Sequence, residues 1–214
     1  MEGLFITLEG PDGSGKSTIA NLLGEYFKKL GINYTITREP GGTQIGEKIR
    51  DIIVDNKNSA MGAETEALLF AASRAQHVHE KILPSLEEGK VVVCDRFLFS
   101  SLAYQGIGRG LGVERVKMIN EFGLRGIKPD LIIFFDCNPT LTIIRKTKSG
   151  GDRLELLGNE FHQRVYEGYK EIIKMYPENV EIIDAKKPIK EVYKDVVKLI
   201  DTLLKEREGL EWNL

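Results

Sequence analysis

The segment Gly10-Pro11-Asp12-Gly13-Ser14-Gly15-Lys16-Ser17-Thr18 fits the pattern G-x-x-x-x-G-K-[ST]. An apolar run at 4–8 precedes it and a helical pattern starting at Ser17 follows, the context in which the pattern carries chemistry. Glycines let the backbone curl with its N–H groups pointing inward, a nest for phosphate oxygens. The following helix N-terminus adds partial positive charge. Lys16 can reach the β- and γ-phosphates, and the Ser17 hydroxyl is placed to ligate Mg²⁺. The plain alternative is a Gly-rich turn that binds nothing. With a strand before it and a helix after it, the segment points to nucleoside triphosphate binding by residues 10–18.

Three further segments are candidates for the second half of a phosphoryl transfer. Arg38-Glu39-Pro40-Gly41-Gly42-Thr43 puts an arginine and a Gly-rich bend after a strand-like run, suited to a monophosphate and otherwise a solvated turn. Cys94-Asp95-Arg96 ends another apolar run. Asp95 there suits a direct or water-bridged Mg²⁺ contact, and Arg96 would lie between donor and acceptor phosphates; a strand-ending ion pair is the alternative. Residues 141–160 carry Arg145, Lys146, Lys148 and Arg153 around Ser149-Gly150-Gly151-Asp152. A Gly-hinged basic segment could swing over the transferring group, although alone it reads as a solvated face. A GTPase would need Asn-Lys-x-Asp, and Asn56-Lys57-Asn58 lacks the Asp. A motor or helicase is usually larger, which leaves a small kinase with a closing lid. His77, His79 and His162 need no catalytic role, because phosphoryl transfer asks for positioning and charge rather than a strong base. A His-x-His pair on a helix also turns its rings to different faces, against a metal site.

The elements that must hold these residues alternate along the chain. Short apolar runs rich in Ile, Val and Phe at 4–8, 34–37, 91–94, 131–135 and 180–183 read as strands covered on both faces. Helical patterns cover 17–30 (ending at Gly31), 64–86, 112–122, 140–146, 160–175 and 189–207. This predicts an α/β fold, a five-stranded parallel sheet with helices on both faces, as one domain over 1–214. Ligands of such sheets bind at the carboxyl ends of the strands, where the segments above fall. The net charge of −2 lacks the basic excess of a general nucleic-acid or anionic-membrane binder. No apolar run is long enough to span a bilayer, and the acidic start Met1-Glu2-Gly3 leads straight into a strand pattern, so neither membrane span nor signal peptide is expected. Cys94 and Cys137 read as buried, reduced residues, and a cytoplasmic location follows.

In chain order, the phosphate loop, Arg38-Glu39-Pro40-Gly41-Gly42-Thr43, Phe70-Ala71-Ala72-Ser73-Arg74, Asp95-Arg96-Phe97 and Ser101-Leu102-Ala103-Tyr104-Gln105-Gly106 resemble the bacterial type of the thymidylate kinases, over about residues 3 to 205. The resemblance implies the P-loop nucleoside monophosphate kinase architecture with a short lid at about 146–158, and conversion of dTMP and ATP to dTDP and ADP with Mg²⁺. Asp12 matches the loop carboxylate that holds the sugar 3′-hydroxyl and orients the acceptor phosphate, and Arg38 and Arg96 match the arginines that grip that phosphate, with Arg50 behind them. Phe70 matches the aromatic that stacks on thymine, Arg74 and Gln105 the side chains that hydrogen-bond the base, with Ser101 nearby, and Tyr104 the tyrosine that crowds the ribose 2′ position. One branch of the family carries its transition-state arginine where this chain has Gly13. The resemblance therefore implies a cation from the lid, Arg153, with Arg145 against the adenine or phosphates. It also implies a two-fold homodimer through the side of the 64–86 helix. Two alternatives stay open: a kinase for another nucleoside monophosphate, differing only in the base pocket, and a non-catalytic ATP-binding switch.

Overall fold

The structure, a computed structural model, describes residues 3–139 and 151–208. Five strands, β1 Leu4–Glu9, β2 Tyr34–Arg38, β3 Val91–Asp95, β4 Leu131–Asp136 and β5 Val180–Asp184, form one sheet in the order β2-β3-β1-β4-β5. Every pairing is parallel. Each strand runs one residue past its expected end, and that residue is charged: Glu9, Arg38, Asp95, Asp136 and Asp184. The apolar run thus stops where the sheet meets the ligand edge. The register aligns that edge, with Asp95 opposite both Leu8 and Arg38. From β1 the chain goes to β2 on one side and later reaches β4 and β5 on the other, so the loops after β1 and β3 diverge and leave a crevice. β1, β3 and β4 are covered on both faces, but the edge strands β2 and β5 are partly open, Ile182 remaining 57% exposed, which corrects the expectation that all five are sandwiched.

Helix α1 (Lys16–Leu30) ends on Gly31, whose φ of 70° is the left-handed conformation that closes a helix at low cost. Helix α2 (Gln44–Val54) was hidden from the sequence reading by the preceding Pro40-Gly41-Gly42 bend, although Ile45, Ile49, Ile52 and Ile53 repeat at helical spacing. Its N-cap is Thr43, whose Oγ1 accepts from Gly46 N at 3.0 Å. The expected 64–86 helix is a continuous helical run in three parts: α3 (Ala63–His77), a wider i→i+5 stretch Val78–Ile82, and α4 (Leu83–Glu87). Pro84, which lacks an N–H, lies in the first turn of α4. A second widened turn, Leu102–Gly108, follows α5 (Leu98–Ser101), and neither of these two elements was expected from the apolar periodicity. Helices α6 (Val113–Leu124), α7 (Asn159–Met175) and α8 (Ile189–Glu208) complete the chain, while the helix expected at 140–146 lies outside the described residues.

Ile19, Leu23 and Phe27 of α1 and Val192, Val196 and Ile200 of α8 bury one face of the central strands. Val165, Tyr169 and Ile172 of α7 cover Ile132 and Phe134 on the other, and Val78 and Ile82 cover Phe5 and Val92. Helices therefore lie on both faces, and the site is carried on the edge they leave open. Cys94 and Cys137 are both buried. Among the described residues, no helix is long and apolar enough to cross a membrane.

Candidate active site

The loop after β1 is set by backbone conformations that favour glycine. Gly10, Gly13 and Gly15 have φ of 137°, 74° and 95°, and a Cβ at Gly10 would stand 2.8 Å from the Phe135 carbonyl oxygen. Lys16 folds back over this loop. Its Nζ donates to the carbonyls of Pro11 at 2.7 Å and Gly10 at 3.0 Å, and to Ser14 Oγ at 3.4 Å. Burial, and then the Arg96 charge, lower its pKa to about 8 against the pull of Asp95, Asp12 and Glu9. The ammonium is therefore held ready but poorly solvated, and a polyphosphate would supply the missing counter-charge. It is charged below about pH 8 and neutral above, so kcat/KM for ATP should fall as pH rises through about 8. A pH–rate profile checks this; one that stays flat up to the ordinary lysine value of 10.5 would contradict it.

At the end of β3, Asp95 Oδ2 accepts from Ser17 Oγ at 2.5 Å, while Oδ1 is buried and has no hydrogen-bond partner among the described residues. A carboxylate oxygen and a hydroxyl beside a phosphate nest fit a hard divalent cation. Arg96 follows in the left-handed region at φ 71°, a conformation that costs about 1–3 kcal/mol in a non-glycine residue. It is held by its own N–H on the Leu8 carbonyl and by its side chain. Nη1 donates to the Gly10 carbonyl, Ser100 Oγ and Tyr169 Oη at 2.9–3.1 Å, and Nη2 to Asp12 Oδ1 at 2.8 Å and Tyr104 Oη at 3.3 Å. Tyr104 Oη also donates to Asp12 Oδ2 at 3.1 Å, and burial pushes its phenol far up, so it stays protonated. Behind this group stands Glu9, a residue the sequence reading passed over. It is 1% exposed and accepts from Phe97 N at 2.9 Å and Ser100 Oγ at 2.6 Å. A carboxylate ending a buried strand just before the phosphate loop was the available signal.

After β2, the Arg38 Nη1 and Arg50 Nη1 both donate to the Pro40 carbonyl, at 2.7 and 3.1 Å, so one oxygen gathers two guanidinium groups. Burial and the neighbouring Arg38 charge lower the Arg50 pKa, against the pull of Asp152, Asp12 and Glu47, the last of which accepts from Arg38 Nη2 at 2.8 Å. The Glu39–Pro40 peptide is cis. Glu39 itself turns inward, accepting from Arg74 Nε at 2.7 Å and pairing with His77 Nδ1 at 3.0 Å, while the nearby Cys94 Sγ donates to the Arg96 carbonyl at 3.1 Å, so each member of the buried cluster of Glu39, His77 and Cys94 has a partner.

Asp12, Ser17, Arg38, Arg50, Phe70, Asp95, Arg96, Tyr104 and Gln105 line one cleft of about 180 Å³. Arg74 and Ser101 stand behind its wall: Arg74 Nη1 donates to Ser101 Oγ at 2.9 Å and to Asn120 Oδ1, and Nη2 to the Phe97 carbonyl at 2.8 Å. Asp152, Leu154 and Glu155 line the cleft, but the Arg153 guanidinium between them is 7% exposed and points elsewhere. It donates through Nη2 to Glu66 Oε2 at 2.7 Å and through Nε to the Ile53 carbonyl at 2.7 Å. A fully buried carboxylate draws the cation that sequence expected over the phosphates. Arg145 lies outside the described residues.

Residues 8–196 match the family model described as thymidylate kinase. The chain is 54% identical over 198 residues to the thymidylate kinase of Finegoldia magna, spanning 92% of this chain and 97% of that one. It is 51% identical over 211 residues to that of Lactobacillus acidophilus, at 97% and 96% coverage. The crystal structure of the Ehrlichia chaffeensis thymidylate kinase superposes with a TM-score of 0.77 at 33% identity, covering 94% of this chain and 99% of that one. The five-stranded parallel sheet, the phosphate loop and the cleft beside it agree with these likenesses, and the chain belongs to the thymidylate kinase family.

Proposed function

We propose that the chain transfers the γ-phosphoryl group of ATP to the phosphate of dTMP, forming dTDP and ADP, with the roles that follow. The observation that carries this reading is the single cleft in which a phosphate loop, three arginines and an aromatic-and-amide pocket meet. ATP lies on residues 10–18, its β- and γ-phosphates against Lys16. Ser17 and Asp95 would hold Mg²⁺, whose charge offsets that of the phosphates. Arg38 and Arg50 supply the anion site for the acceptor phosphate, and Arg96, tied to Gly10 and Asp12, is the cation between donor and acceptor. Phe70 offers a stacking face, Gln105 a hydrogen-bonding edge, and Arg74 braces the pocket from behind. Tyr104, packed against Asp12, limits the space at the sugar and favours deoxyribose. Arg153 anchors the carboxyl-terminal side of the lid at 146–158 to Glu66. Labelled γ-phosphate from ATP should appear in dTDP and remain in ATP when dTMP is withheld. ATP hydrolysis or binding with no acceptor-dependent product would leave only the switch reading.

The same reading takes 1–214 as one cytoplasmic kinase domain without a nucleic-acid partner, working as a homodimer. Helix α3 packs on both α2 and α6, the latter so closely that a Cβ on Gly123 would meet Ala75 Cβ at 2.6 Å. The outer side of these helices leaves Leu68 56%, Met118 68% and Phe122 95% exposed. Scattered apolar residues are ordinary, but three on adjacent packed helices favour a partner. Phe122→Glu should shift the sedimentation of the protein from dimer to monomer; a variant that stays dimeric would place the interface elsewhere.

A further inference from the structure

Glu66 sits where the base pocket meets the lid. Its carboxylate is fully buried and receives four hydrogen bonds. Oε1 accepts from Gln105 Nε2 at 3.0 Å and Arg109 Nε at 3.1 Å, and Oε2 from Arg109 Nη2 and Arg153 Nη2, both at 2.7 Å. Burial alone would push its carboxyl up, but the hydrogen bonds of Arg109 and Gln105 and the charge of Arg109 hold it below its ordinary value. The group is therefore ionised and can only accept. A primary amide has one donating and one accepting end. Facing an acceptor-only neighbour, Gln105 must turn Nε2 toward it. Its Oε1 is buried and has no hydrogen-bond partner among the described residues, in a residue that lines the cleft. Such an unmet acceptor invites a donor from the ligand.

We propose that Glu66 is a specificity-determining positioning residue, which fixes the Gln105 amide so that its carbonyl meets the acceptor base and selects a base carrying hydrogen on N3. Thymine and uracil carry that hydrogen, whereas cytosine presents N3 as an acceptor and would set two acceptors face to face. This rests on the dTMP reading given above. The best competitor is 5-methyl-dCMP, which keeps the methyl group and ring outline of dTMP and inverts only the donor and acceptor order.

The test compares kcat/KM for dTMP and 5-methyl-dCMP in the full-length wild type, Glu66→Gln and Arg109→Gln. The wild type should favour dTMP by about 10⁴-fold, the range for a site built to bond a group its competitor lacks. In Glu66→Gln the new amide can donate as well as accept, so Gln105 can turn either way and the preference should fall by about tenfold or more. Arg109→Gln removes a cation but leaves the acceptor-only carboxylate, so its preference should stay within about twofold of wild type. A purely structural role would depress both substrates together and leave the ratio alone. An unchanged ratio in folded Glu66→Gln, or an equal fall in Arg109→Gln, overturns the proposal while leaving dTMP kinase activity intact. A wild type that does not phosphorylate dTMP overturns the functional reading and the proposal together. Should Glu66→Gln not fold, the isotope-labelled wild type decides. A scalar coupling across the hydrogen bond from Gln105 Nε2 to Glu66 Cδ supports the proposal, and its absence contradicts it.

Discussion

Lys16→Ala should lower turnover by several orders of magnitude while the protein stays folded. Lys16 is 5% exposed, yet its Nζ spends its bonds on the Gly10 and Pro11 carbonyls of its own loop rather than on the core. Removing it costs the fold little beyond those local bonds. The chemistry loses the one ammonium that the loop delivers to the β- and γ-phosphates, in a site where preorganised charge is worth more than in water. Loss of a single preorganised donor lowers kcat by about 10²- to 10³-fold, and a full charge shared between two phosphates should exceed that. Circular dichroism and a thermal melt establish folding, and steady-state rates at saturating dTMP give the effect. A folded variant with near wild-type kcat would end the assignment of residues 10–18.

Arg96→Ala is expected to lower kcat by about 10²- to 10³-fold with a smaller change in the KM for dTMP. Its guanidinium joins the phosphate loop at Gly10 to Asp12 and Tyr104, so it acts on charge and on the alignment of both halves of the site. Backbone strain does not complicate the reading, since alanine at φ 71° bears the same Cβ conflict that arginine already bears. An equal loss in kcat/KM and kcat would mark an interaction made chiefly in the transition state. A loss confined to KM would instead make Arg96 a ground-state phosphate ligand and leave the transferring group to a lid cation.

The sheet was legible because its strands are short, apolar and bounded, and each run stops where a charged residue reaches the ligand edge. The phosphate loop was legible because three glycine conformations and one lysine are fixed by local geometry. Helix α2 was not, since Pro40-Gly41-Gly42 reads as a loop and the cap that starts the helix is a single threonine side chain. Glu9 and Glu66 escaped for a different reason. Their partners, Ser100 and Phe97 for one, Gln105, Arg109 and Arg153 for the other, lie far along the chain, and no spacing rule brings them together. Arg153 shows the same limit from the other side: a basic residue after a glycine hinge looks available until a buried carboxylate from another helix claims it.

The most direct test of the account is the acceptor panel. Initial rates of ADP formation, coupled to NADH oxidation, should be measured with ATP, Mg²⁺ and one of dTMP, dUMP, CMP or AMP. The cleft pairs Phe70 with an amide whose carbonyl awaits a donor, so dTMP should give the highest kcat/KM, dUMP a lower one, and CMP and AMP little above background. Faster turnover of CMP or AMP than of dTMP would contradict the account.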